Sequence, residues 1–497
     1  MDEVGRPYRH NSPAWFILLC VQLMLEGLCS SRGVSRCLHL FAQHFGIPTP
    51  CHVTILNWVL RLGGHLLTED CPDDKLAWIV DHTVEQGKEK GLVILGVPTD
   101  QLISDGVQLR HKDVKVLHLI PQAKANGASV HEVFTETAQR FGAPAYIVSD
   151  HGSDLKKAIT LYQDDHPETG AIYDITHQMA ILLKTGLASD PRWKTFSSLL
   201  SQTSKEVRQT ELHFLAPGAL RTKSRFLNLE KTMIWAKRIL AYQRREDLHE
   251  TGGGYLLNEQ QIQLFQIYHG TVLLCQLKQL QGQRYPRKEA FIASLTEAVG
   301  SLSEDLTATL VMAADRNRPR FMEKFGWVQT YADDVTRWSE MFGACRVAMT
   351  LVKRKGLHSQ TQEDLKNVFS RFEFTTKIGE AFRDKVSENV EREASKVSEG
   401  CIWLGTSDVL ESIFGKYKGF SARSPLKTLG RLMLTIPALT SHLTADKVKT
   451  AMESFSTKQL KALCKNLFGV SSLSKRRSAF GPLEKVRDLF SIEKGSI

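Results

Sequence analysis

Three acidic residues stand where their carboxylates could share a metal ion. Asp81 ends one apolar run, WIVDH, and Asp150 ends another, YIVSD, while Glu411 lies within the amphipathic stretch TSDVLESIFGKYK. Carboxylate oxygens are hard ligands, which suit Mg²⁺ or Mn²⁺ better than zinc. Two such ions about 4 Å apart would activate a hydroxyl and stabilise the leaving oxygen of a phosphodiester. These residues therefore predict a catalytic, metal-binding site for phosphoryl transfer.

Further acids are alternative ligands for the third position. Asp154 lies one helical turn past the second aspartate, and Asp408 lies three residues before the glutamate. Asp174 ends a predicted fifth strand and could replace either helix acid. Asp105 and Asp113 lie in a loop between predicted strands, where solvated turn residues are expected.

The elements that must position these acids begin at residue 76. The runs LAWIVDHT, GLVILGV and VKVLHLI are rich in β-branched residues and predict three strands of an antiparallel meander. A helix (ASVHEVFTETAQRFG), a fourth strand (APAYIVSD), a helix (DLKKAITLYQ) and a fifth strand (GAIYDIT) follow, and another helix starts near Thr176. This order predicts an α/β layer whose sheet is partly parallel.

Helical patterns surround this layer on both sides in the sequence. The apolar run WFILLCVQLML is too short to span a bilayer and predicts a buried first helix. Two further helices flank the break GIPTP with helix-turn-helix spacing, so Arg36 and Arg61 are predicted to contact DNA. From about residue 185 to 400 the pattern is helical. Its basic stretch 221–245 predicts either a surface helix or a groove that follows a nucleic-acid backbone.

Composition and charge exclude several classes of protein. With 497 residues, 42% hydrophobic and 24% charged, the chain is neither disordered, nor collagen-like, nor a disulfide-framed miniprotein. Its nine cysteines match no common zinc spacing and are expected to be reduced. The net charge is +10, and residues 412–497 hold 16 Lys or Arg against 5 Asp or Glu. Such a block is typical of a nucleic-acid partner or a membrane surface, although a solvated basic tail has the same composition.

The strand order and its acids resemble the RNase H-like core of DDE/D transposases. In that family the last acid comes from a helix packed on the sheet. Many members, including the hAT group, have a large all-helical insertion between the fifth strand and the final Glu. Here Thr185 to about Glu399 would be the insertion. The stretch YDITHQMAILL is similar to the C-x-x-H motif of the hAT group. Tyr173 or Asp174 stands in the place of its Cys, so only His177 is carried over.

The final acid also resembles a second group. Glu411 and Lys418 reproduce the E-x6-K spacing of bacterial insertion-sequence transposases. Leu404 and Ser407 stand where that signature has its upstream Tyr and Arg.

The resemblance implies roles for the site residues. Asp81 would bridge two Mg²⁺ or Mn²⁺ ions, and Asp150 and Glu411 would each hold one. His177 or Asp174 would orient the scissile phosphate or a metal-bound water.

The resemblance also implies contacts with DNA. Backbone contacts are expected from Lys418, more weakly from Lys416 and Arg423, and from three residues of the insertion, Arg221, Lys223 and Arg225. One of three tryptophans, Trp235, Trp327 or Trp338, would stack on an unpaired base at a transposon end.

The sequence therefore predicts an α/β RNase H-like core with a mixed five-stranded sheet, interrupted by an all-α insertion, with a helix-turn-helix-like N-terminal domain and a basic helical C-terminal tail. The expected boundaries are 1–72, 73–184, 185–399, 400–424 and 425–497.

The predicted function is that of a DNA transposase. The alternatives are an RNase H-like nuclease without strand transfer and an inactive, transposase-derived DNA-binding regulator. Double-stranded DNA and a homodimer or larger homo-oligomer are the expected partners. The expected location is the nucleoid-associated cytoplasm of a prokaryote or the nucleus of a eukaryote.

Overall fold

The computed structural model describes residues 4–45, 49–70, 75–86, 89–104, 107–122, 125–210, 212–220, 226, 229–244, 319–421, 429–470 and 472–480. The chain divides into two compact units. The first, here called the sheet unit, comprises Met1–Gln178, Thr350–Asp364 and Val390–Ile497. The second, here called the helical unit, comprises Met179–Met349 and Leu365–Asn389.

Five strands form one mixed sheet in the order β3-β2-β1-β4-β5. β1 pairs antiparallel with β2, and β2 pairs antiparallel with β3, whereas β4 lies parallel to both β1 and β5. The predicted five-stranded mixed sheet with flanking helices is confirmed, and it is compatible with an RNase H-like core. The strands are β1 Leu76–Gln86, β2 Glu89–Pro98, β3 Lys115–Gln122, β4 Tyr146–Ser149 and β5 Gly170–Tyr173.

Helices account for most of the remaining described chain. In chain order they are α1 Ala14–Leu25, α2 Ser31–Phe45, α3 His52–Thr68, α4 Thr99–Ser104, α5 Gly127–Phe141, α6 Ser153–Asp165, α7 Ile175–Ala188, α8 Pro191–Val207, α9 Leu229–Arg244, α10 Ala332–Lys355, α11 Thr361–Phe369, α12 Lys377–Ala394, α13 Asp408–Ser421, α14 Thr435–Thr440, α15 Ala445–Ser454, α16 Thr457–Phe468 and α17 Ser472–Phe480. The short α4 lies between β2 and β3, where the sequence predicted no helix. Its six residues still allow the antiparallel pairing of these strands.

One face of the sheet packs against α5 and α6. Alternate residues of β1, among them Trp78 and Val80, are fully buried on this face, as the two-residue repeat of a strand requires. The Trp78 ring meets Phe134 of α5 and Tyr162 of α6 with centroid distances of 6.0 Å. Such aromatic pairs contribute about 0.5–1.5 kcal/mol each beyond their burial, so this face forms a hydrophobic core of the sheet unit.

The N-terminal and C-terminal helices belong to the same unit as the sheet. α3 packs against α1, α2, α14, α15 and α16, and α14 and α16 also contact β3. Seven consecutive residues of α3, Trp58–Gly64, are buried. Gly63 is required there because a Cβ at this position would overlap the carbonyl oxygen of Leu434. The C-terminal half of the second helix of the predicted helix-turn-helix is therefore part of the core, and it cannot enter a DNA groove.

The burial of α3 corrects the role expected for Arg61. Its side chain is 9% exposed, and Nε donates to the carbonyl oxygen of Phe455 at 2.6 Å. The terminal Nη2 donates to the carbonyl oxygen of Met452. Because these hydrogen bonds tie α3 to the end of α15, the guanidinium is not accessible to a DNA phosphate.

The helical unit has its own aromatic core. Trp193 and Phe196 of α8 meet Trp338 of α10 with centroid distances of 4.9 and 5.0 Å. Asp190 caps α8 and accepts hydrogen bonds from Arg337 (2.6 Å) and from the indole N–H of Trp338 (2.9 Å). A buried aromatic cluster with a satisfied polar edge thus holds α8 and α10 together.

Candidate active site

The sheet register brings the first two predicted acids to neighbouring strands. Val80 of β1 pairs with Ser149 of the parallel strand β4, and Asp81 and Asp150 are the next residues along each strand. Because successive side chains of a strand alternate between faces, and Val80 belongs to the core under α5 and α6, both aspartates are directed to the opposite face. Helix α13 packs against β1. The sheet therefore presents two carboxylates side by side, one in the middle of β1, which continues five residues beyond Asp81, and one directly after the end of β4.

The loop after Asp150 holds its carboxylate in place. The backbone N–H of Gly152 donates to Oδ1 of Asp150 at 2.9 Å. Between them, His151 has a φ of +52°, in the left-handed region that histidine adopts uncommonly. Its ring stacks on Tyr173 of β5 with a centroid distance of 4.5 Å and an interplanar angle of 8°. The stack favours this unusual turn and so contributes to the position of the carboxylate.

Burial and nearby charges shift the pKa values of both stacked side chains, His151 and Tyr173. Burial lowers the pKa of His151, which favours its neutral form. Burial also raises the pKa of Tyr173, and the negative charges of Asp150, Asp174 and Glu393 raise it further. Both side chains are therefore uncharged at neutral pH.

The third predicted acid faces a histidine. Oε1 of Glu411, in the first turn of α13, lies 3.6 Å from Nε2 of His177 in α7. The two side chains are 33% and 23% exposed. A carboxylate beside an imidazole can be held in one orientation by it, so His177 is placed to position Glu411.

Asp174 has a structural function and not the auxiliary catalytic one predicted for it. Its side chain is fully buried and accepts three hydrogen bonds, from the backbone N–H of Ser407 (2.6 Å), from the Ser407 hydroxyl (2.5 Å) and from the backbone N–H of His177 (2.9 Å). The last of these caps α7. Because its carboxylate is fully buried and accepts these three hydrogen bonds, Asp174 exposes no oxygen to a phosphate or a metal ion. We call these three contacts the Asp174 latch.

Other contacts fix the segment that leads into α13. The indole ring of Trp403 stacks on Tyr146 of β4 at 4.5 Å, and the Tyr146 hydroxyl accepts a hydrogen bond from the backbone N–H of Leu404 at 2.9 Å. The backbone N–H of Ile175 donates to the carbonyl oxygen of Gly405, also at 2.9 Å. Residues 403–407 are thereby attached to the sheet before the helix that carries Glu411 begins.

The alternative third acids have other partners. Asp408 lies 2.7 Å from Nζ of Lys353. Asp154 accepts a hydrogen bond from Lys90 at 3.0 Å and lies 3.8 Å from Nδ1 of His82. Burial alone would raise the pKa of Asp154, but Lys90 and His82 together bring it below its usual value.

Asp105 and Asp113 were predicted to be turn residues between two strands, and the structure describes one of them. Asp113 accepts the backbone N–H of Arg110 at 2.6 Å, which is the turn role expected for it. Asp105 lies outside the described residues.

The predicted DNA contacts fall into three groups. Arg36 and Lys418 are exposed and Lys416 is half-buried, so their cations remain accessible. Arg61 is interior, as shown above. Four more predicted contacts lie outside the described residues: Arg221, Lys223, Arg225 and Arg423.

The three tryptophans proposed to stack on a base use their indole N–H groups within the helical unit. Trp338 is 1% exposed. The indoles of Trp235 and Trp327 donate to the carbonyl oxygen of Leu215 (2.8 Å) and to the Thr203 hydroxyl (3.0 Å). Packing within the helical unit explains where the three indole rings lie. The structure gives no support to the predicted stacking of a tryptophan on an unpaired base.

The donor chemistry at the end of the sheet fits a hard divalent cation. Asp81 and Asp150 offer carboxylate oxygens from adjacent strands, and Glu411 offers another from a helix packed on β1. As the side chains stand, however, no group of three His, Cys, Asp or Glu among the described residues could hold a metal ion.

Comparisons with known proteins give a similarity to solved structures and none to sequences. No protein-family model matches the sequence, and no curated protein matches it. Among solved structures, the chain is similar to the Drosophila P element transposase strand transfer complex, with a TM-score of 0.38 and 11% identity, over 91% of this chain and 94% of that chain. Because the TM-score is below 0.5, the proposals below rest on the residues of this chain. Among the described helices, none is long and apolar enough to cross a membrane.

Proposed function

We propose that the protein cleaves and joins DNA strands by metal-dependent phosphoryl transfer, as a transposase does. The observation that supports this most is the parallel register of β1 and β4, which brings Asp81 of β1 beside Asp150, the residue after β4, while α13 packs against β1. One acid within a strand, one directly after a strand and one in a helix would supply the hard oxygen ligands that such chemistry uses.

The residues would divide the work as follows. Asp81 would bridge two Mg²⁺ or Mn²⁺ ions, and Asp150 and Glu411 would each hold one. When bound, such ions lower the pKa of a hydroxyl nucleophile and stabilise charge on the leaving oxygen. His177 positions Glu411, and the Gly152 N–H holds Asp150. Lys418 and Lys416 of α13 would contact DNA phosphates beside the site.

Strand cleavage is the primary test. The substrate is a labelled duplex taken from the DNA that flanks the coding region, incubated with Mg²⁺ or Mn²⁺. We expect Asp81→Asn and Asp150→Asn to lower the rate by at least about 100-fold, because each loses a metal ligand. The exposed Asp384, which lies beside Arg383 on α12, provides a charge-matched control, and Asp384→Asn should cut at the parental rate. Full cleavage by both site variants would refute the proposal.

An assay of DNA strand joining distinguishes a transposase from a nuclease of the same fold. A duplex with a ready-made 3′-hydroxyl end is mixed with supercoiled target DNA and metal. A transposase is expected to link the two covalently. Cleavage without any joined product would assign the protein to the nucleases instead.

A non-catalytic DNA-binding regulator is the second candidate. It is favoured by the position of Glu411, whose Oε1 atom lies 3.6 Å from Nε2 of His177. Calorimetric titration with Mn²⁺ decides between the two. Heat that disappears in the Asp81→Asn, Asp150→Asn double variant supports the enzyme, whereas no heat with the parent protein supports the regulator.

We further propose double-stranded DNA as the partner, a homodimer or larger homo-oligomer as the working form, and a location where DNA is accessible. That location would be the nucleoid-associated cytoplasm or the nucleus. Light scattering after size exclusion, with and without DNA, measures the assembly. A monomer under both conditions would contradict the oligomer.

A further inference from the structure

Helix α16, Thr457–Phe468, has two chemically distinct sides. Leu460, Leu463 and Leu467 recur at the three- and four-residue spacing of one helical face. Three lysines, Lys458, Lys461 and Lys465, recur with the same spacing on the opposite face. We call these three residues the lysine stripe.

The ends of this helix are well defined. Ser456 and Gln459 form a capping box at its N-terminus, and Gly469 ends it with a φ of +59°. The stripe therefore lies on a regular helix, and its spacing is fixed.

Packing fixes which side faces solvent. α16 contacts α3 and β3, and Leu460 is 5% exposed. Leu463 lies so close to Gly64 of α3 that a Cβ there would be 3.3 Å from its Cδ2 atom. All three lysines of the stripe are exposed. The leucine side is thus used for folding, and the lysine side is turned outward.

The charge of the stripe is uncompensated. Within the described part of the chain, none of its three ammonium groups has an ion-pair partner. From residue 456 to 480 the sequence has six Lys or Arg and no Asp or Glu. Like charges three or four residues apart destabilise a helix by about 0.2–0.5 kcal/mol per pair. A row of this kind costs folding energy, which binding to a polyanion would offset.

We propose that the lysine stripe binds the phosphate backbone of double-stranded DNA, at a surface separate from the acidic site. Seven residues of helix span about 10 Å. Phosphates follow one another about every 3.4 Å along the axis of one strand, so the stripe matches about three phosphates. Binding of this kind is independent of base sequence. The choice of DNA rests on the proposed function, whereas the location of the surface does not.

An anionic membrane is the competing polyanion, and the packing of α16 disfavours it. A helix that lies in a membrane interface inserts its apolar face among the lipids. On the leucine face of α16, Leu460 is buried, Leu463 and Leu467 are half-buried, and the helix packs against α3 and β3. The lysine face is the fully exposed one, which suits a phosphate backbone.

The test compares the full-length protein with the triple variant Lys458→Gln, Lys461→Gln, Lys465→Gln. The control is Lys194→Gln, Lys205→Gln, Lys385→Gln, which changes the net charge equally at three exposed lysines of the helical unit. Binding to a labelled 30-base-pair duplex of arbitrary sequence is measured by fluorescence anisotropy in EDTA, from 50 to 200 mM salt. Circular dichroism checks that each variant is folded.

The expected change is in the salt dependence. Each phosphate contact contributes about 0.9 to the slope of log K against log salt. Loss of three contacts should therefore lower the slope by about 2.7 and reduce the salt-induced loss of affinity over this range by about 40-fold. The control should keep the parental slope.

Three results would overturn or separate the claims. Equal slopes for the stripe and control variants would refute the proposal. So would a loss of binding to phosphatidylserine vesicles in the stripe variant, with its DNA slope unchanged, because the surface would then belong to a membrane. If the parent protein binds DNA with the full slope but never cuts it, the proposed catalysis fails and the stripe stands.

Discussion

Replacing Asp174 by Ala tests how the third acid is held. The carboxylate lies in the interior between the start of α7 and the segment before α13, which are more than 200 residues apart in sequence. Removal leaves three donors without their acceptor: the N–H and hydroxyl of Ser407 and the N–H of His177. An unsatisfied buried donor costs the free energy of its desolvation, so the variant should be strongly destabilised.

The magnitude follows from the three hydrogen bonds. A hydrogen bond to a charged group contributes about 1.5–3 kcal/mol. Bonds that share one acceptor are not additive, so we expect a loss of about 3–5 kcal/mol in the free energy of unfolding. At about 2 °C per kcal/mol for a domain of 200 residues or more, the Tm should fall by about 6–10 °C.

A second cap provides the control. Asn126 caps α5 by accepting the N–H of Ser129 at 3.0 Å, but it is exposed and joins no distant segments. Asn126→Ala should cost about 1 kcal/mol and lower the Tm by about 2 °C. Thermal unfolding followed by circular dichroism measures both variants. If Asp174→Ala melts no lower than Asn126→Ala, the latch does not join the two segments.

Three further outcomes are expected. Arg61→Ala should lower the free energy of unfolding by about 2–4 kcal/mol, because buried hydrogen bonds are lost. The folded variant should bind DNA as the parent does in a gel-shift assay. Weaker binding would indicate that Arg61 contacts DNA. Gly63→Ala should lower the free energy of unfolding by about 3 kcal/mol, because the added Cβ overlaps a backbone carbonyl. Gly343→Ala, which has open space around it, should not lower it. Equal melting temperatures of the two variants would contradict the close approach of Gly63 to Leu434. Because the pKa of Asp154 is lowered in the fold, its stabilisation is present above the unfolded-state pKa and is lost as the pH falls through the folded-state pKa. The difference in Tm between the parent and Lys90→Met should therefore be larger at pH 7 than at pH 3, and a constant difference would argue against the ion pair.

The sheet could be predicted because its signals are local. Each strand is a short apolar run with β-branched residues, and the connection between two runs indicates their relative direction. Asp150 could be placed directly after its strand for the same reason, but Asp81 lies inside β1, which continues to Gln86 because its polar end still pairs with β2. Their adjacency follows from the register of two parallel strands, Val80 with Ser149, which the helix α5 between them makes possible.

The latch could not be predicted because its partners are distant in sequence. An Asp before a helix indicates an N-cap, and this local signal was present at Asp174. Nothing near it in the sequence points to Ser407, which supplies two of the three hydrogen bonds. The sequence therefore favoured a chemical role for a side chain that joins two segments of the fold.

Arg61 shows a different limit. The pattern of α3 identifies an apolar helix with one arginine, and a cation on a helix near a Gly/Pro turn is typical of DNA binding. Whether a second layer covers that cation depends on α15 and α16, nearly 400 residues later. Burial on every side distinguishes a core helix from a surface helix, and the periodicity of one segment does not contain that information.

The latch also determines what the third acid can do. Ser407 directly precedes α13, and His177 lies in the first turn of α7, so one carboxylate fixes both the helix of Glu411 and the histidine that faces it. The register of Asp81 and Asp150 depends on backbone pairing and not on this contact. Asp174→Ala should thus weaken the contribution of Glu411 while leaving the two aspartates in place. In Mn²⁺ titrations, we expect the variant to resemble Glu411→Gln. Behaviour like that of Asp81→Asn would mean that the latch also supports the strands.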